Sequence, residues 1–381
     1  MKVLAIDISG KVFKYDYALY ECINKITPDT ELFHFVCPYF SIGKEPSIFK
    51  LVSLIPNRYR NSAHLFKRFL KFIEGLINYA ILLNNIKKYD LLHLQWLPFL
   101  EVCNVENMIL KLAKKRNPKL KIVLTLHNIY PHNSSHKKKL TYQARMHDMI
   151  PLIDLLIVHN QSSKLSAYRE FGIHPDNVVV IHHGIFVPPY LPQIKREDDK
   201  VHILQFGQQS TYKGTDILVE AIHLLPSEIL SQIKVHILGS TEKSLYNQYA
   251  PQIHDLPISW KNKYISDMEL YQEIQNADIL TYPYRAISQS GALLLGLYFK
   301  KPVIISDLPA FRETLGLEYP EELVCKVGNA QSLANSISWC IENKEKLQNL
   351  PSLIQTIIDN NSWESAATKT IAIYHQLATS S

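Results

Sequence analysis

The strongest chemical signal in the sequence is a short polar loop between a strand and a helix, within residues 202–222. The strand ends at Phe206, Gly207 permits a tight turn, and Lys213 and Gly214 lead into the helix. A loop at the carboxyl end of a parallel strand that faces a helix N-terminus favours anions, and a lysine adds a full positive charge. Spacing alone leaves two interpretations open: a diphosphate site, or an ordinary strand–loop–helix corner with a surface lysine.

A second signal is a histidine that directly follows a predicted strand. His127 stands two residues after Thr125, at the start of a polar loop that also carries His132 and His136. Imidazole is the side chain best suited to exchange protons near neutral pH. The chain has 16 histidines, so residue type alone also allows a locally hydrogen-bonded histidine at the end of a strand.

Length and composition indicate a globular protein of two domains. The chain has 381 residues, of which 46% are hydrophobic and 20% are charged. The net charge of +6 favours phosphates, nucleotides or an anionic membrane face. No basic run with interleaved aromatic residues occurs, so we do not expect a nucleic-acid partner.

The cysteines and the apolar runs bear on location. Five cysteines are scattered without a CxxC pair, which indicates reduced core residues and neither a disulfide framework nor a zinc site. The opening run MKVLAIDIS reads as a first strand and not as a signal peptide. No apolar run reaches the length of a membrane span. We therefore expect a cytoplasmic protein.

Short β-branched runs alternate with helical stretches through the whole chain, and this pattern occurs twice. Runs that are apolar on both faces and separated by helices are typical of parallel sheets covered on each side. The pattern predicts an α/β protein with two doubly wound, Rossmann-like domains. The predicted strands are 3–8, 32–37, 91–94, 122–126, 155–158, 178–181, 202–206, 234–238, 279–282, 303–305 and 323–325.

A proline-rich and then charged stretch separates the two halves. Residues 189–200 have the composition of an exposed linker. We therefore place the first domain at 1–188 and the second at 201–362.

One segment departs from the alternating pattern. Residues 64–85 have apolar side chains near helical spacing, with Lys67, Arg68 and Lys71 near the start. This predicts a helix packed on the first sheet, the commoner arrangement. The alternative is an amphipathic helix that touches the inner face of an anionic membrane or guides a lipid-linked acceptor.

Several motifs, in order along the chain, resemble those of GT-B glycosyltransferases, in particular the retaining group called family 4 (glycosyl transferases group 1). The loop FGxxxxYKGxD followed by LVEAI is similar to the donor-phosphate loop of that group. Five further motifs agree with it in order and spacing. They are DLLHLQW (90–96), VLTLHNIYP (123–131), NVVVIHHGI (177–185), ADILTYPY (277–284) with SQSG (288–291), and KPVIISD (301–307).

The resemblance implies a GT-B fold, with two domains that face each other across a cleft and a C-terminal helix, 363–381, that returns to the first domain. It implies a nucleotide-sugar donor on the second domain and a saccharide or lipid-linked acceptor on the first. No metal or other cofactor is expected, since a fixed cation can stabilise the leaving diphosphate.

The resemblance also assigns residues. His127 and Lys213 become the catalytic candidates. Ser9, Gly10 and His132 are expected on the acceptor side, and His93 behind the site. The donor-binding candidates are Gly207, Gln208, Lys213, Lys263, Tyr264, Arg285, Ser288, Gln289, Ser290 and Gly291. In the turn 288–291, backbone N–H groups could bind sugar hydroxyls or a phosphate oxygen, while a serine could also cap the helix.

Two loops depart from the family pattern. The loop after the first strand has Ser9-Gly10-Lys11, with a single glycine where the family has several. The phosphate loop commonly has an arginine beside the lysine in the family, and this chain has Gln208, Gln209 and Ser210 instead. We expect Arg285 to supply this second positive charge from a neighbouring loop.

The paired glutamates of the family, spaced E-x7-E, are also absent. Their positions fall near Ser288 and at Leu295 or Gly296, and Glu313 is a nearby acid that the pattern does not place on the ribose. The leading interpretation is a retaining hexosyltransferase of surface polysaccharide or glycolipid assembly. Because the glutamates are missing, a second interpretation stays open: a catalytically silent GT-B protein that is a partner or regulator of another transferase. A third is another GT-B activity, such as an epimerase.

Overall fold

The computed structural model describes residues 1–27, 33–38, 40–42, 50–54, 65–131, 135–193, 196 and 198–379. It forms two compact units. The first comprises Met1–Gly184 together with Ser362–Ser381, and the second comprises Ile185–Asn361.

A seven-stranded sheet forms the centre of the first unit, in the order β3-β2-β1-β4-β5-β6-β7. All neighbours pair in parallel except β2 and β3, which are antiparallel. The strands are β1 (Val3–Asp7), β2 (Phe33–Cys37), β3 (Phe40–Ile42), β4 (Leu91–Trp96), β5 (Lys121–Thr125), β6 (Leu155–Val158) and β7 (Val178–Val180). The central strands are buried on both faces, because helices connect each parallel pair and cover the sheet.

The helices of the first unit are α1 (Phe13–Ile26), α2 (Leu65–Asn85), α3 (Val105–Arg116), α4 (His136–Met149), α5 (Gln161–Phe171) and the C-terminal helix α15 (Trp363–Thr379). Helix α15 packs against α1 and buries small and apolar side chains, including Ala367 and Ile373. The hydroxyl of Tyr374 lies 2.7 Å from Nδ1 of His93 on β4. The chain end therefore returns to the first unit, as the sequence predicts.

A six-stranded parallel sheet forms the centre of the second unit, in the order β10-β9-β8-β11-β12-β13. The strands are β8 (Val201–Phe206), β9 (Ile233–Leu238), β10 (Ile258–Lys261), β11 (Ile279–Tyr282), β12 (Val303–Ser306) and β13 (Val324–Cys325). Its helices are α6 (Thr215–His223), α7 (Ser227–Leu230), α8 (Lys243–Tyr249), α9 (Asp267–Asn276), α10 (Gly291–Tyr298), α11 (Pro309–Leu315), α12 (Ala330–Glu342), α13 (Lys344–Leu347) and α14 (Leu350–Asn360).

The predicted α/β class with two parallel sheets is confirmed. Each predicted strand coincides with an observed strand to within two residues at either end. The sequence analysis missed β3 and β10, which both lie at the edge of a sheet. Edge strands are only partly buried, so they lack the continuous apolar run that reveals a central strand.

Helix α2 begins at Leu65, and His64 lies outside the described residues. Its C-terminal half packs in the core through Tyr79 and Leu82, whereas Phe66 and Phe69 are 71% and 59% exposed. No helix in the described part of the chain is long and apolar enough to cross a bilayer.

Two glycines with left-handed backbone allow a test of the corner between β8 and α6. Gly214 has φ +68°, and a Cβ there would lie 2.0 Å from the carbonyl oxygen of Pro283. Gly172 has φ +69°, and the nearest atom to a Cβ there, His147 Cε1, lies 3.8 Å away. We expect Gly172→Ala to lower the free energy of unfolding by about 1–2 kcal/mol, the cost of a left-handed L-residue.

Gly214→Ala should lower the free energy of unfolding by more, because its Cβ would also collide with the carbonyl oxygen of Pro283. Urea unfolding of both variants measures the difference, and equal losses would show that the corner yields to the added methyl group.

Candidate functional site

In the second unit, the predicted phosphate loop has the expected geometry. Strand β8 ends at Phe206, Gly207 has φ +100°, and a short 3-10 helix over Thr211–Lys213 leads to Gly214 and α6. Lys213 is only 7% exposed. A Cβ at Gly207 would lie 2.8 Å from Lys213 Nζ, so only glycine lets the ammonium approach the backbone of the turn.

The Lys213 ammonium is a buried cation beside an aromatic ring. Its Nζ lies 5.1 Å from the ring centroid of Tyr284, and in the described structure it has neither a carboxylate within salt-bridge distance nor a hydrogen-bond partner. Burial lowers the pKa of Lys213, because the charged form loses solvation. An anion bound beside Nζ would reverse that effect, so the arrangement favours a negatively charged ligand.

A buried amide network that the sequence analysis did not identify fixes the loop. Gln209 is fully buried, and its Nε2 donates to the carbonyl oxygens of Gly207 (2.9 Å) and Leu238 (3.1 Å). Its Oε1 accepts from Thr215 Oγ1 at 2.7 Å. Gln205 Nε2 donates to the Lys213 carbonyl at 3.1 Å. These bonds hold both ends of the loop.

Arg285 lies at the same corner, but its charge is already compensated. Its guanidinium donates to Asp216 Oδ1 (2.8 Å) and Oδ2 (2.6 Å) and to the carbonyl of Thr211 (2.7 Å). Asp216, in the first turn of α6, was not among the predicted site residues. The pair fastens the loop to the helix, and a direct role of Arg285 at a donor phosphate stays a prediction.

The turn before α10 contains a capped helix end. Ser290 Oγ accepts from the Leu293 backbone N–H at 3.2 Å, so this serine does cap the helix that Gly291 opens. Ser288 and Gln289 are half-buried beside it. At Gly296, one of the two positions where the second glutamate of the family falls, a Cβ would lie 2.4 Å from the Tyr282 hydroxyl, which leaves no room for a carboxylate.

Three other predicted donor residues are exposed. Gln208 faces solvent beside the loop. Lys263 and Tyr264 follow β10; Tyr264 is 81% exposed, and Lys263 Nζ lies 3.6 Å from Glu269.

In the first unit, His127 belongs to a buried cluster of aromatic rings. Its ring centroid lies 4.7 Å from that of Tyr15, which also contacts His159 (5.3 Å), His183 (5.0 Å) and Trp363 (5.3 Å). Burial lowers the pKa of His127 well below its usual range, and the neighbouring His159 and His183 lower it further. The histidines of the cluster are therefore neutral at pH 7.

Hydrogen bonds fix the tautomers in this cluster. His159 Nδ1 donates to the Ile181 carbonyl at 3.0 Å, so in the neutral ring Nε2 must accept. His127 Nδ1 lies 3.0 Å from that nitrogen and therefore donates to it. His127 Nε2 is buried without a hydrogen-bond partner in the described structure. Proton transfer by His127 stays a prediction, and it requires this nitrogen to become accessible.

The loop after β1 is organised by an aspartate and not by additional glycines. Asp7 is fully buried, and its Oδ1 accepts from the backbone N–H (2.9 Å) and hydroxyl (3.0 Å) of Ser9. Its Oδ2 accepts from the Val12 N–H at 3.2 Å, and Gly10 has φ +58°. The sequence analysis missed Asp7, although a carboxylate at the end of a buried strand was a visible signal.

The remaining histidines of interest divide between surface and core. His132 lies outside the described residues. His136 is exposed at the start of α4. His93 is fully buried, and its Nε2 contacts Thr125 Oγ1 at 2.8 Å; its place behind the site stays a prediction. No group of three or more described His, Cys, Asp or Glu side chains could hold a metal ion.

Comparison with known proteins gives a family match for the second unit. Residues 189–352 match the family model described as glycosyl transferases group 1. A curated relative from Xanthomonas campestris pv. campestris, GDP-mannose:glycolipid 4-beta-D-mannosyltransferase, is 23% identical over 235 residues, or 58% of this chain. The match spans 62% of the relative's length.

Solved structures match almost the whole chain in fold. Anabaena HepE in complex with UDP and glucose has a TM-score of 0.68 at 16% identity, over 99% of this chain and all of that one. Sucrose-phosphate synthase from Thermosynechococcus elongatus has a TM-score of 0.69 at 16% identity, over 100% of both chains. The fold is GT-B.

The histidine cluster predicts acid sensitivity. Burial lowers the pKa of His159 to about 4 and that of His183 to about 3, whereas an unfolded histidine titrates near 6.5. Below that value the unfolded state binds more protons than the folded one. The free energy of unfolding should therefore be highest above pH 6.5 and fall as the pH falls from 6.5 towards 4.

His183→Phe should make the free energy of unfolding fall less steeply as the pH is lowered. The difference in slope should correspond to about one proton. Tyr168→Phe, at an exposed tyrosine of the same unit, serves as control and should keep the slope of the wild type. Urea unfolding at several pH values measures both, and a His183→Phe slope equal to that of the wild type would contradict the assignment.

Proposed function

We propose that this chain, a GT-B protein whose second unit belongs to the glycosyl transferases group 1 family, transfers a sugar from a nucleoside-diphosphate donor. The observation that carries this proposal is the buried Lys213 ammonium, which has no counterion in the described structure and lies against the Gly207 turn. A diphosphate has the charge that this site lacks.

The chemistry follows from where charge develops. As the glycosidic bond of the donor breaks, negative charge grows on the departing nucleoside diphosphate. A cation fixed beforehand in a poorly solvated site stabilises that charge more in the transition state than in the bound donor. Lys213 has this role in our proposal, with the Gln209 network and the Arg285–Asp216 pair holding the loop in place. We propose that no metal is needed, and transfer should then be insensitive to chelators.

The proposed substrates are a hexose donor and a saccharide or lipid-linked saccharide acceptor, in the assembly of surface polysaccharide or glycolipid. The glycolipid mannosyltransferase from Xanthomonas and the HepE complex with UDP and glucose support these classes. Retention of configuration follows from the family 4 resemblance. The Xanthomonas relative is named for a β-linkage, so the anomeric configuration of the product, read by NMR, is the decisive measurement.

One observation supports the alternative of a catalytically silent partner. At Gly296, one of the two positions where the pattern puts the family glutamate expected on the ribose, there is no room for a carboxylate. In that case nucleotides would bind weakly or not at all, and no donor would be consumed in the presence of any acceptor.

Removal of the buried charge tests the proposal directly. Lys213→Met keeps the length of the side chain and loses the cation, so affinity for UDP, GDP or ADP should fall about 10–100-fold, as expected for loss of a charge-assisted contact. Calorimetry and the ligand-induced rise in melting temperature measure this. Lys326→Met, at an exposed lysine of the same unit, should bind as the wild type does. Equal affinities in Lys213→Met and the wild type would remove the basis of the proposal.

We also propose peripheral membrane contact through the start of α2. Phe66 and Phe69 are exposed on the same helix as Arg68, a combination that suits an anionic interface. The double substitution Phe66→Ser, Phe69→Ser should reduce co-sedimentation with vesicles of anionic lipid several-fold. Leu317→Ser, at a fully exposed leucine of the second unit, is the control. No binding of the wild type to such vesicles would exclude this contact.

A further inference from the structure

Four polar side chains form a hydrogen-bonded relay on one face of the second sheet. Asp198 precedes β8, His202 lies at the start of β8, His236 lies on β9 and Ser259 lies on the edge strand β10. We propose that Ser259 is a nucleophilic serine, a site of self-acylation by activated carboxylic esters, with His236 as its general base. This activity goes beyond the proposed sugar transfer and does not depend on it.

Strand register brings the members of the relay together. His202 lies opposite Lys234, and Ser259 lies opposite His236. Lys234 and His236 are two positions apart on β9, so their side chains leave the same face of the sheet. Both are half-buried, whereas the residues that alternate with them on β9 are buried. The relay therefore lies on a face that is partly open to solvent, and the other face belongs to the core.

Three hydrogen bonds connect the relay from end to end. His202 Nε2 lies 3.0 Å from Asp198 Oδ1, and His202 Nδ1 lies 3.1 Å from His236 Nε2. His236 Nδ1 lies 2.9 Å from Ser259 Oγ, whereas the Val235 carbonyl oxygen is farther from that hydroxyl, at 3.5 Å. The planes of the two imidazole rings differ by only 20°, which suits a hydrogen bond between ring nitrogens. All four ring nitrogens thus have partners inside the relay.

The charge on Asp198 fixes the direction of these bonds. Its Oδ2 lies 2.6 Å from Lys234 Nζ, and the hydrogen bonds from Lys234 and His202 lower the pKa of this carboxyl group. An ionised carboxylate only accepts, so His202 Nε2 donates to it and Nδ1 of the neutral ring accepts from His236 Nε2. His236 Nδ1 then has the lone pair and accepts from the Ser259 hydroxyl. This is the arrangement that a general base needs.

The surroundings of His236 keep it neutral at pH 7. Burial lowers the pKa of this imidazole, because the charged form loses solvation. Glu273 on α9 raises the pKa, whereas His202 on β8, Lys261 on β10 and Lys234 on β9 lower it further. His236 can therefore take up a proton from the serine without first losing one of its own.

Ser259 is exposed, so a small ester can reach its hydroxyl. The same unit offers a serine for comparison. Ser231 is also exposed, and its Oγ donates to the carbonyl oxygen of Glu228 at 2.9 Å. A backbone carbonyl does not take up a proton near neutral pH. The two serines thus differ in the basicity of their acceptor, and only that of Ser259 is a base.

The proposed step is a single acyl transfer. Ser259 Oγ attacks the carbonyl carbon of the ester and forms a new C–O bond. The bond between that carbon and the leaving oxygen breaks, and the leaving group departs with the electron pair as an anion such as p-nitrophenolate. The hydroxyl proton goes to His236 Nδ1. The imidazolium so formed donates to His202, and the bond from His202 to Asp198 stabilises its positive charge.

The test uses the full chain and p-nitrophenyl acetate near neutral pH, with peptide mass spectrometry to locate the acetyl group. We expect Ser259 to be acetylated at least about 10-fold faster than Ser231, since a general base contributes roughly 10²–10⁴ to such rates. His236→Gln should slow acetylation of Ser259 by at least about 10-fold for the same reason. His202→Phe keeps a ring but removes the acceptor for His236 Nε2, and should slow it by a smaller factor.

The dependence of the rate on pH separates a base from a merely structural histidine. Acetylation of Ser259 requires neutral His236, so its rate should be constant above pH 6.5 and fall at lower pH. The midpoint should lie below the ordinary histidine value of 6.5, because burial lowers the pKa. A rate that rises in proportion to hydroxide across neutral pH would show that the serine reacts without the relay and would overturn the proposal.

Two variants complete the test. Ser259→Ala should remove the acetylated peptide, and His223→Gln, at an exposed histidine of α6, should react as the wild type does. Melting curves followed by circular dichroism show that each variant has folded. The proposal is overturned if His236→Gln, with the melting temperature of the wild type, leaves the rate unchanged. It is also overturned if the wild type acetylates Ser259 no faster than Ser231, a comparison that needs no variant.

Discussion

Parallel strand pairing is the constraint on which the rest of this structure depends. In a parallel sheet every strand ends at the same edge, so loops that are far apart in sequence emerge side by side. In the second unit this places the Gly207 turn beside Gly239, which follows the end of β9. A Cβ on Gly239 would lie 2.0 Å from the Gly207 carbonyl oxygen. In the first unit it brings the loops after β4 and β5 around one cavity. Parallel strands need crossover helices, which cover the sheets and make the strands apolar throughout.

Buried polar side chains then give each loop its shape. Gln209 holds the phosphate loop through the carbonyls of Gly207 and Leu238, and Asp7 holds the loop after β1 through Ser9 and Val12. Each lies at or just past the end of a buried strand, where backbone N–H and C=O groups leave the sheet without ladder partners. In this way the loop after β1 is held with Gly10 as its single glycine.

The cation of the second unit and the neutral histidines of the first have opposite electrostatic consequences. Lys213 is desolvated without a counterion in the described structure, and a bound anion would relieve that cost. The cluster of His127, His159 and His183 is desolvated in its neutral form, with hydrogen bonds that assign its protons. The first arrangement favours a ligand, whereas the second resists protonation and stabilises the unit near neutral pH.

The sequence by itself determined the fold class, the central strands of both sheets and the position of the turn at Gly207, because apolar runs and glycine positions are local properties of the chain. It also pointed to Lys213 and His127 through motifs of fixed spacing. Only the tertiary structure shows which polar and charged side chains already have partners within the protein. Arg285 is compensated by Asp216, 69 positions away, and His127 is bonded to His159, 32 positions away. The tertiary structure alone joined Asp198, His202, His236 and Ser259 in one relay of hydrogen bonds. Such contacts depend on how strands and helices pack, and residue spacing along one chain does not contain that information.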